Sequence, residues 1–162
     1  MEYEYRRTTD EELRRLWEKN AADNPGDARW VRWAREAADN NASGKAATFA
    51  VLAGGDPIGE GTLLFSPACS AIEGRTNLCD GSHTANVNGL RIRKSDEGKG
   101  HISALVREME RYAVSKGYTD LTIGVDAIES RNLAIYLHWG YTEFVHAEVE
   151  DGLLVLYYRK RL

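Results

Sequence analysis

The sequence predicts an α/β (α+β) chain built on a mixed, mostly antiparallel twisted sheet of about seven strands with about four helices. Three observations predict it. Strand-like apolar runs and amphipathic stripes follow in the order strand, two helices, three strands, helix, strand, helix, two strands. Gly54-Gly55-Asp56-Pro57 and Glu150-Asp151-Gly152 read as hairpin turns, which make the strands they join antiparallel neighbours. The strand at 85–93, the long helix after it and the strand at 119–125 form one βαβ crossover, hence one parallel pair.

Each element has a local cause. Residues 2–7 are a short strand. Thr8, Thr9 and Asp10 then supply N-cap oxygens ahead of Glu11 and Glu12, and Leu13, Leu16 and Trp17 carry a helix to about residue 23. Asn24-Pro25-Gly26-Asp27 turns the chain. Trp30, Val31, Trp33, Ala34 and Ala37 give a second helix its apolar face, ending near residue 40. Strands follow at 46–53 and 58–65. An irregular stretch at 66–83 holds both cysteines, and loops of that length in a compact domain are commonly functional or mobile. In the strand at 85–93, Asn88-Gly89 signals a bulge. Ile102, Leu105, Val106, Met109, Tyr112 and Ala113 lie on one stripe of a long helix that stops at Lys116-Gly117. A strand carries Leu121, Ile123 and Val125, residues 130–139 form a short helix before Gly140, and strands at 141–149 and 153–159 close the chain.

Composition narrows the function. The chain has 162 residues without internal repeats, low-complexity tracts or dividing linkers, the size of a single domain over 1–162. Hydrophobic residues at 43% and charged ones at 28% fit a soluble globule. A formal charge of −4 argues against a nucleic-acid partner, which needs a basic face. No apolar run reaches the roughly 18–20 residues of a membrane span, so no membrane partner is expected. MEYEYRRTTDEEL has no apolar signal core, so a cytoplasmic location is expected. Cys69 and Cys79 form neither a disulfide framework nor a CxxC zinc pair; they read as reduced loop thiols, and no metal site is expected.

The stretch that carries chemistry is LRIRKSDEGKGHISALV, residues 90–106. A strand runs into a glycine loop that opens a long helix. The first amides of a helix lack intrahelical partners and sit at the positive end of its dipole, and Gly98 and Gly100 let an anion reach the backbone. That is a recipe for holding phosphate. It is not a P-loop, because Gly100 follows Lys99 where Ser or Thr is required. A dinucleotide fingerprint also fits poorly: Ser103 replaces its third glycine, and the acidic Asp126 comes 28 residues after Gly98 rather than about 20.

Glu97-Gly98-Lys99-Gly100-His101-Ile102-Ser103-Ala104-Leu105 resembles motif A of the GNAT superfamily of N-acetyltransferases, whose core is (Q/R)-x-x-G-x-(G/A). It departs at Glu97, where Arg or Gln is usual, and at Ile102, where Gly or Ala is usual; the Glu97 side chain is expected to point outward. A second match lies in register downstream. Ile135-Tyr136-Leu137-His138-Trp139-Gly140-Tyr141 resembles the family's L-Y-x-x-x-G-F, with Glu129 and Asn132 replacing a usual Asn and Ala. The similarity covers about residues 84–148.

The resemblance implies a GNAT fold with splayed central parallel strands, and acetyl-CoA as cosubstrate in the gap. Its pyrophosphate would meet Gly98, Lys99, Gly100, His101 and Ile102, with Asn132 also at the cofactor. Backbone N–H groups of Leu90, Arg91 and Ile92 would polarise the thioester carbonyl, beyond the Asn88-Gly89 bulge. Tyr136 would give the departing thiolate its proton. Asp126 and Glu129 are candidates for the general base, as are His83 and Asp80; Asn86 stands where some members keep a Glu and cannot serve. His101 reads as a surface residue of the first helical turn, and His138 and His146 as structural. Trp30 and Trp33 read as core, the alternative being that one faces the mouth of the site.

Glu60, Glu73, Asp80, Asp126 and Glu129 would suit a cationic amine. The reading is therefore an acetyl-CoA-dependent N-acetyltransferase acting on a primary amine of a small cationic molecule, with room for a homodimer. Its rivals are a protein or peptide N-acetyltransferase, a non-catalytic acyl-CoA-binding module and a dinucleotide-binding oxidoreductase domain.

Overall fold

The computed structural model describes residues 1–162. The strands are β1 (Tyr3–Arg7), β2 (Ala46–Ala53), β3 (Asp56–Leu64), β4 (Thr84–Ile92), β5 (Asp120–Asp126), β6 (Glu143–Glu150) and β7 (Leu153–Arg161). The helices are α1 (Asp10–Asp23), α2 (Arg29–Ser43), α3 (His101–Ser115) and α4 (Ser130–His138), with a one-turn 3₁₀ helix at Lys94–Asp96. One seven-stranded sheet runs in the order β1-β2-β3-β4-β5-β7-β6. The element order, the strand count and the helix count are those expected from the sequence. No helix is long and apolar enough to cross a membrane.

The chain forms two compact units, residues 1–63 with 89–109 and residues 64–88 with 110–162, so that β4 and α3 each contribute to both. In the first unit β1 pairs antiparallel with β2, from Tyr3↔Ala53 to Arg7↔Phe49. Helix α1 starts at Thr9, whose hydroxyl accepts from the Glu12 amide while the Glu12 carboxylate accepts from the Thr9 amide. This capping box fixes the helix start and satisfies two amides at once. Arg6 donates to both Glu12 oxygens, at 2.9 and 3.0 Å. Leu13 and Leu16 are then buried, Leu16 against Ala50 and Leu52 of β2.

Helix α2 departs from expectation in two ways. It continues through Asn40 and Asn41 to Ser43. The Asn41 carboxamide is engaged elsewhere, donating to the Ala37 carbonyl and accepting from the Thr48 amide, so it does not interrupt the helix. No α2 residue is buried, and the expectation that Trp30 and Trp33 belong to the core is wrong. They are half-exposed members of an aromatic cluster, 5.2 Å apart, with Trp17 6.3 Å from Trp30.

In the second unit β5 pairs antiparallel with β7 along its whole length, and β7 with β6. The parallel register of β4 on β5 covers Thr84↔Asp120 to Val87↔Ile123 only. Cross-strand polar contacts hold that segment: Thr84 Oγ1 donates to Asp120 at 2.7 Å, and Asn86 Nδ2 to Thr122 Oγ1 at 2.9 Å. Past Val87 the pairing stops, and Gly89 takes φ +65 within β4. That backbone conformation, cheap only for glycine, is the bulge read from Asn88-Gly89.

The 66–83 stretch contains neither helix nor strand. Two side chains fasten it within the second unit. Arg75 donates to the Glu148 carboxylate and to the carbonyls of Ile72 and Ala71. Asp80 Oδ1 accepts the amides of Ser82, His83 and Thr84 at 2.8–2.9 Å.

Candidate functional site

At the start of α3, Gly98 and Gly100 take φ +73 and +83, and a Cβ at either would meet nothing within 4 Å. The backbone turn, not crowding, requires glycine there. Asp96, just upstream, is buried; it accepts from Arg93 Nε at 2.7 Å and lies 3.5 Å from Lys99 Nζ. The Arg93 hydrogen bond, then the charges of Arg93 and Lys99, hold its carboxyl below the ordinary range. The Ala104 amide donates to the Gly100 carbonyl at 3.1 Å, so the amides of His101, Ile102 and Ser103 precede the first bond of the helical ladder. Three unladdered amides at the positive helix end, after two left-handed glycines, are an arrangement able to cradle an anion. Glu97, Lys99 and both glycines are exposed and Ile102 is half-buried, so Glu97 is on the outside as expected.

His101 corrects an expectation. It is 6% exposed rather than a surface residue. Its Nδ1 lies 2.9 Å from the Tyr5 hydroxyl, and its ring centroid 4.4 Å from that of Tyr3. Two tyrosines of β1 cover the imidazole, and its Nε2 is buried without a partner. His101 thus reaches the cradle through its backbone amide, while its ring anchors the helix end.

On β4, Leu90, Arg91 and Ile92 are half-exposed and lie past the last β5 partner. Leu90 and Ile92 face two glycines of β3: a Cβ at Gly61 would stand 2.7 Å from Leu90 Cδ2, and one at Gly59 2.7 Å from Ile92 Cδ1. Arg91 points the other way, as strand alternation demands. Its Nη2 donates to Glu60 Oε1 at 3.0 Å, and Asn20 Nδ2 donates to the other oxygen at 3.0 Å. Its guanidinium carbon lies 5.6 and 5.4 Å from the ring centroids of Trp17 and Trp30. The Glu60–Arg91 pair was not read from the sequence. The signal was Gly59-Glu60-Gly61, a charged residue between two glycines on a strand whose glycine face is filled by a neighbour.

In the second unit α4 carries Tyr136, half-buried, with its ring 5.5 Å from that of Trp139. Burial raises the phenol's pKa, and the Glu129 carboxylate pushes the same way. Glu129 is the exposed N-cap residue of α4, and its amide donates to the Asp126 carbonyl at 2.9 Å. Asp126 is half-exposed at the end of β5, and Asn132 is exposed in the first turn of α4. Asp126 and Glu129 thus stand at the two ends of the β5-to-α4 connection, and Tyr136 lies on α4 itself.

Other candidates have structural work. Asp80 holds three amides, Asn86 is bonded across the parallel pair, and His146 lies 3.3 Å from Glu148. His83 and His138 are exposed. Cys69 and Cys79 are buried and form no disulfide. Of the carboxylates expected to attract a cationic amine, Glu60 and Asp80 are already engaged within the chain.

A mixed sheet whose single parallel pair parts beyond Val87, followed by a glycine loop opening α3, is the GNAT acetyltransferase fold. Solved structures carry the same architecture at low sequence identity. A protein of the GNAT family from Desulfovibrio desulfuricans is 16% identical with TM-score 0.71, covering 99% of each chain. The PaiA N-acetyltransferase of Thermoplasma acidophilum, solved with coenzyme A, is 18% identical with TM-score 0.64 over 100% of both chains. A spermidine N-acetyltransferase chimera of Vibrio cholerae SpeG and hSSAT is 15% identical with TM-score 0.71, covering 98% of this chain and 95% of that one. No family model and no curated protein sequence matches the chain.

Proposed function

We propose that residues 1–162 act as one acetyl-CoA-dependent N-acetyltransferase domain that acetylates the primary amine of a small molecule. The observation that carries this reading is the run of unladdered amides at His101, Ile102 and Ser103 behind Gly98 and Gly100. They would hold the pyrophosphate, with Lys99 adding a positive charge beside it and Asn132 a further contact to the cofactor. The PaiA structure, which shares the fold and was solved with coenzyme A, supports the choice of cosubstrate.

The chemistry follows from this chain's own groups. Within the segment Leu90, Arg91 and Ile92, the amides on the edge away from β3 would polarise the thioester carbonyl and stabilise the charge that develops on its oxygen, an effect worth roughly 10²–10³ in rate per donor at comparable sites. Asp126 or Glu129 would take the proton of the ammonium, directly or through water. The amine nitrogen then bonds the acyl carbon, the carbon–sulfur bond breaks, the Tyr136 phenol gives its proton to the thiolate, and the extra proton left on the nitrogen returns to the phenolate, directly or through water. The products are an N-acetyl amide and the free thiol. The phenol is protonated at neutral pH, the form the step requires, and burial moves its pKa further up.

Calorimetric titration with acetyl-CoA tests the reading. Saturable one-to-one binding is expected, weakened at least tenfold in Gly100→Asp, because a carboxylate would enter the anion cradle. No binding by the wild-type chain, or equal binding by the variant, overturns it.

A further inference from the structure

We infer that Arg91, framed by Trp17 and Trp30, binds the carboxylate of the acceptor, which makes the acceptor an amino acid or a compound of that class. The inference rests on the N-acetyltransferase reading for the word acceptor; the subsite itself rests on four elements of the first unit.

The cluster has donors without acceptors. An arginine offers five N–H groups in a planar fork. Arg91 Nη2 is engaged by Glu60, while Nε is buried without a partner. Beside it the indole N–H of Trp17 is likewise buried and unpartnered. Glu60 is the one carboxylate bonded to Arg91, and Asn20 occupies its second oxygen. Both unpartnered donors are shut off from solvent, so they mark a guanidinium with incomplete bonding inside the chain; an incoming group meets the fork along its exposed edge, where it must offer acceptor oxygens. A carboxylate supplies them in the geometry a guanidinium matches; an ammonium supplies none.

The guanidinium is also held ready. Two indoles lie against it, Glu60 (3% exposed) fixes one edge, and the side chain remains 40% exposed. Gly89 adds a further constraint, since a Cβ there would stand 3.3 Å from Arg91 Nη2. The bulge glycine therefore leaves space that the guanidinium fills. Position completes the argument: Arg91 belongs to the very segment whose amides are assigned to the thioester, so a carboxylate on its side chain keeps an attached amine close to that segment.

The test uses the full chain and two readouts. Indole fluorescence is titrated with the common L-amino acids, their amides and their decarboxylated amines, and the same panel is assayed for thiol release from acetyl-CoA. At least one amino acid should give a saturable fluorescence change and a kcat/KM about 10- to 100-fold above that of its amide and its amine. That preference should collapse in Arg91→Met and be partly kept in Arg91→Lys. Where Arg91→Met fails to fold because Glu60 is left unpaired, the double variant Glu60→Gln/Arg91→Met carries the same comparison. Amines or amides preferred over amino acids, no saturable response to any amino acid, or a preference unchanged in the Arg91 variants overturns the inference. Amines turned over without regard to a carboxylate leave the acetyltransferase reading standing. A fluorescence response to amino acids in a chain that binds no acetyl-CoA keeps the subsite and removes that reading.

Discussion

The Tyr5 hydroxyl lies 2.9 Å from Nδ1 of His101 and ties the first strand to the first turn of α3. The cradle at that turn depends on where those amides stand, and a side-chain tether sets their position in place of a conventional cap. Tyr5→Phe should leave both imidazole nitrogens of a buried ring unpartnered, lowering stability by about 1–3 kcal/mol. It should also weaken acetyl-CoA binding several-fold. Chemical denaturation and calorimetry read the two effects; a variant as stable as wild type would show that the tether contributes nothing.

Tyr136→Phe should lower kcat by about 10²-fold or more while leaving the KM for acetyl-CoA within about twofold, as expected when a proton donor acts only in the chemical step. Burial raises the phenol's pKa above its ordinary value, so its protonated form persists across the usual assay range. The wild-type pH–rate profile should therefore show no loss from tyrosine ionisation below about pH 10. A Tyr136→Phe enzyme with undiminished kcat removes the phenol from the mechanism.

The architecture was legible because its signals are local and periodic. Alternating apolar residues, two hairpin turns and one amphipathic stripe suffice to give the element order, and Gly98 and Gly100 mark the cradle because only glycine adopts those φ values cheaply. The misreadings share a different cause. Trp30 and Trp33 have the spacing of a core face, yet they stay half-exposed because the apolar face of α2 meets Trp17 and the guanidinium of Arg91. His101 reads as a surface residue until β1 brings two tyrosines over it, a contact spanning 96 residues of sequence. Glu60 reads as a free carboxylate until Arg91, 31 residues on, neutralises it. Pairings of distant residues leave no local trace, so the site's backbone was readable and its side-chain environment was not.

Cys79 is inert in the folded chain. Burial pushes its thiol up to about 12, and Sγ donates to the Leu64 carbonyl at 3.3 Å. At pH 8 the thiolate fraction is then on the order of 10⁻⁴, and the thiolate is the reactive form. Cys69 is buried too, at 2% exposure. A thiol reagent should modify neither within minutes in native buffer and both in denaturant. Mass spectrometry of the labelled chain decides, and rapid native labelling at Cys79 would contradict its burial.

Asp80 sets part of the acid stability. Burial alone would raise its carboxyl, but the amides of Thr84, Ser82 and His83 outweigh that and hold it at about 2. In the unfolded chain an aspartate titrates near 3.9. The folded state therefore favours the charged form. The resulting stability is present in full above about pH 4 and disappears as pH falls towards 2, an amount on the order of 2 kcal/mol. Asp80→Asn should accordingly destabilise the chain at neutral pH and flatten the acid limb of its stability profile, because the amide accepts the same bonds without charge and does not titrate. Thermal melts of both proteins between pH 7 and pH 2 read this as a gap that narrows with acid. A constant gap would assign the carboxylate's contribution to packing at the start of β4 instead of to its charge.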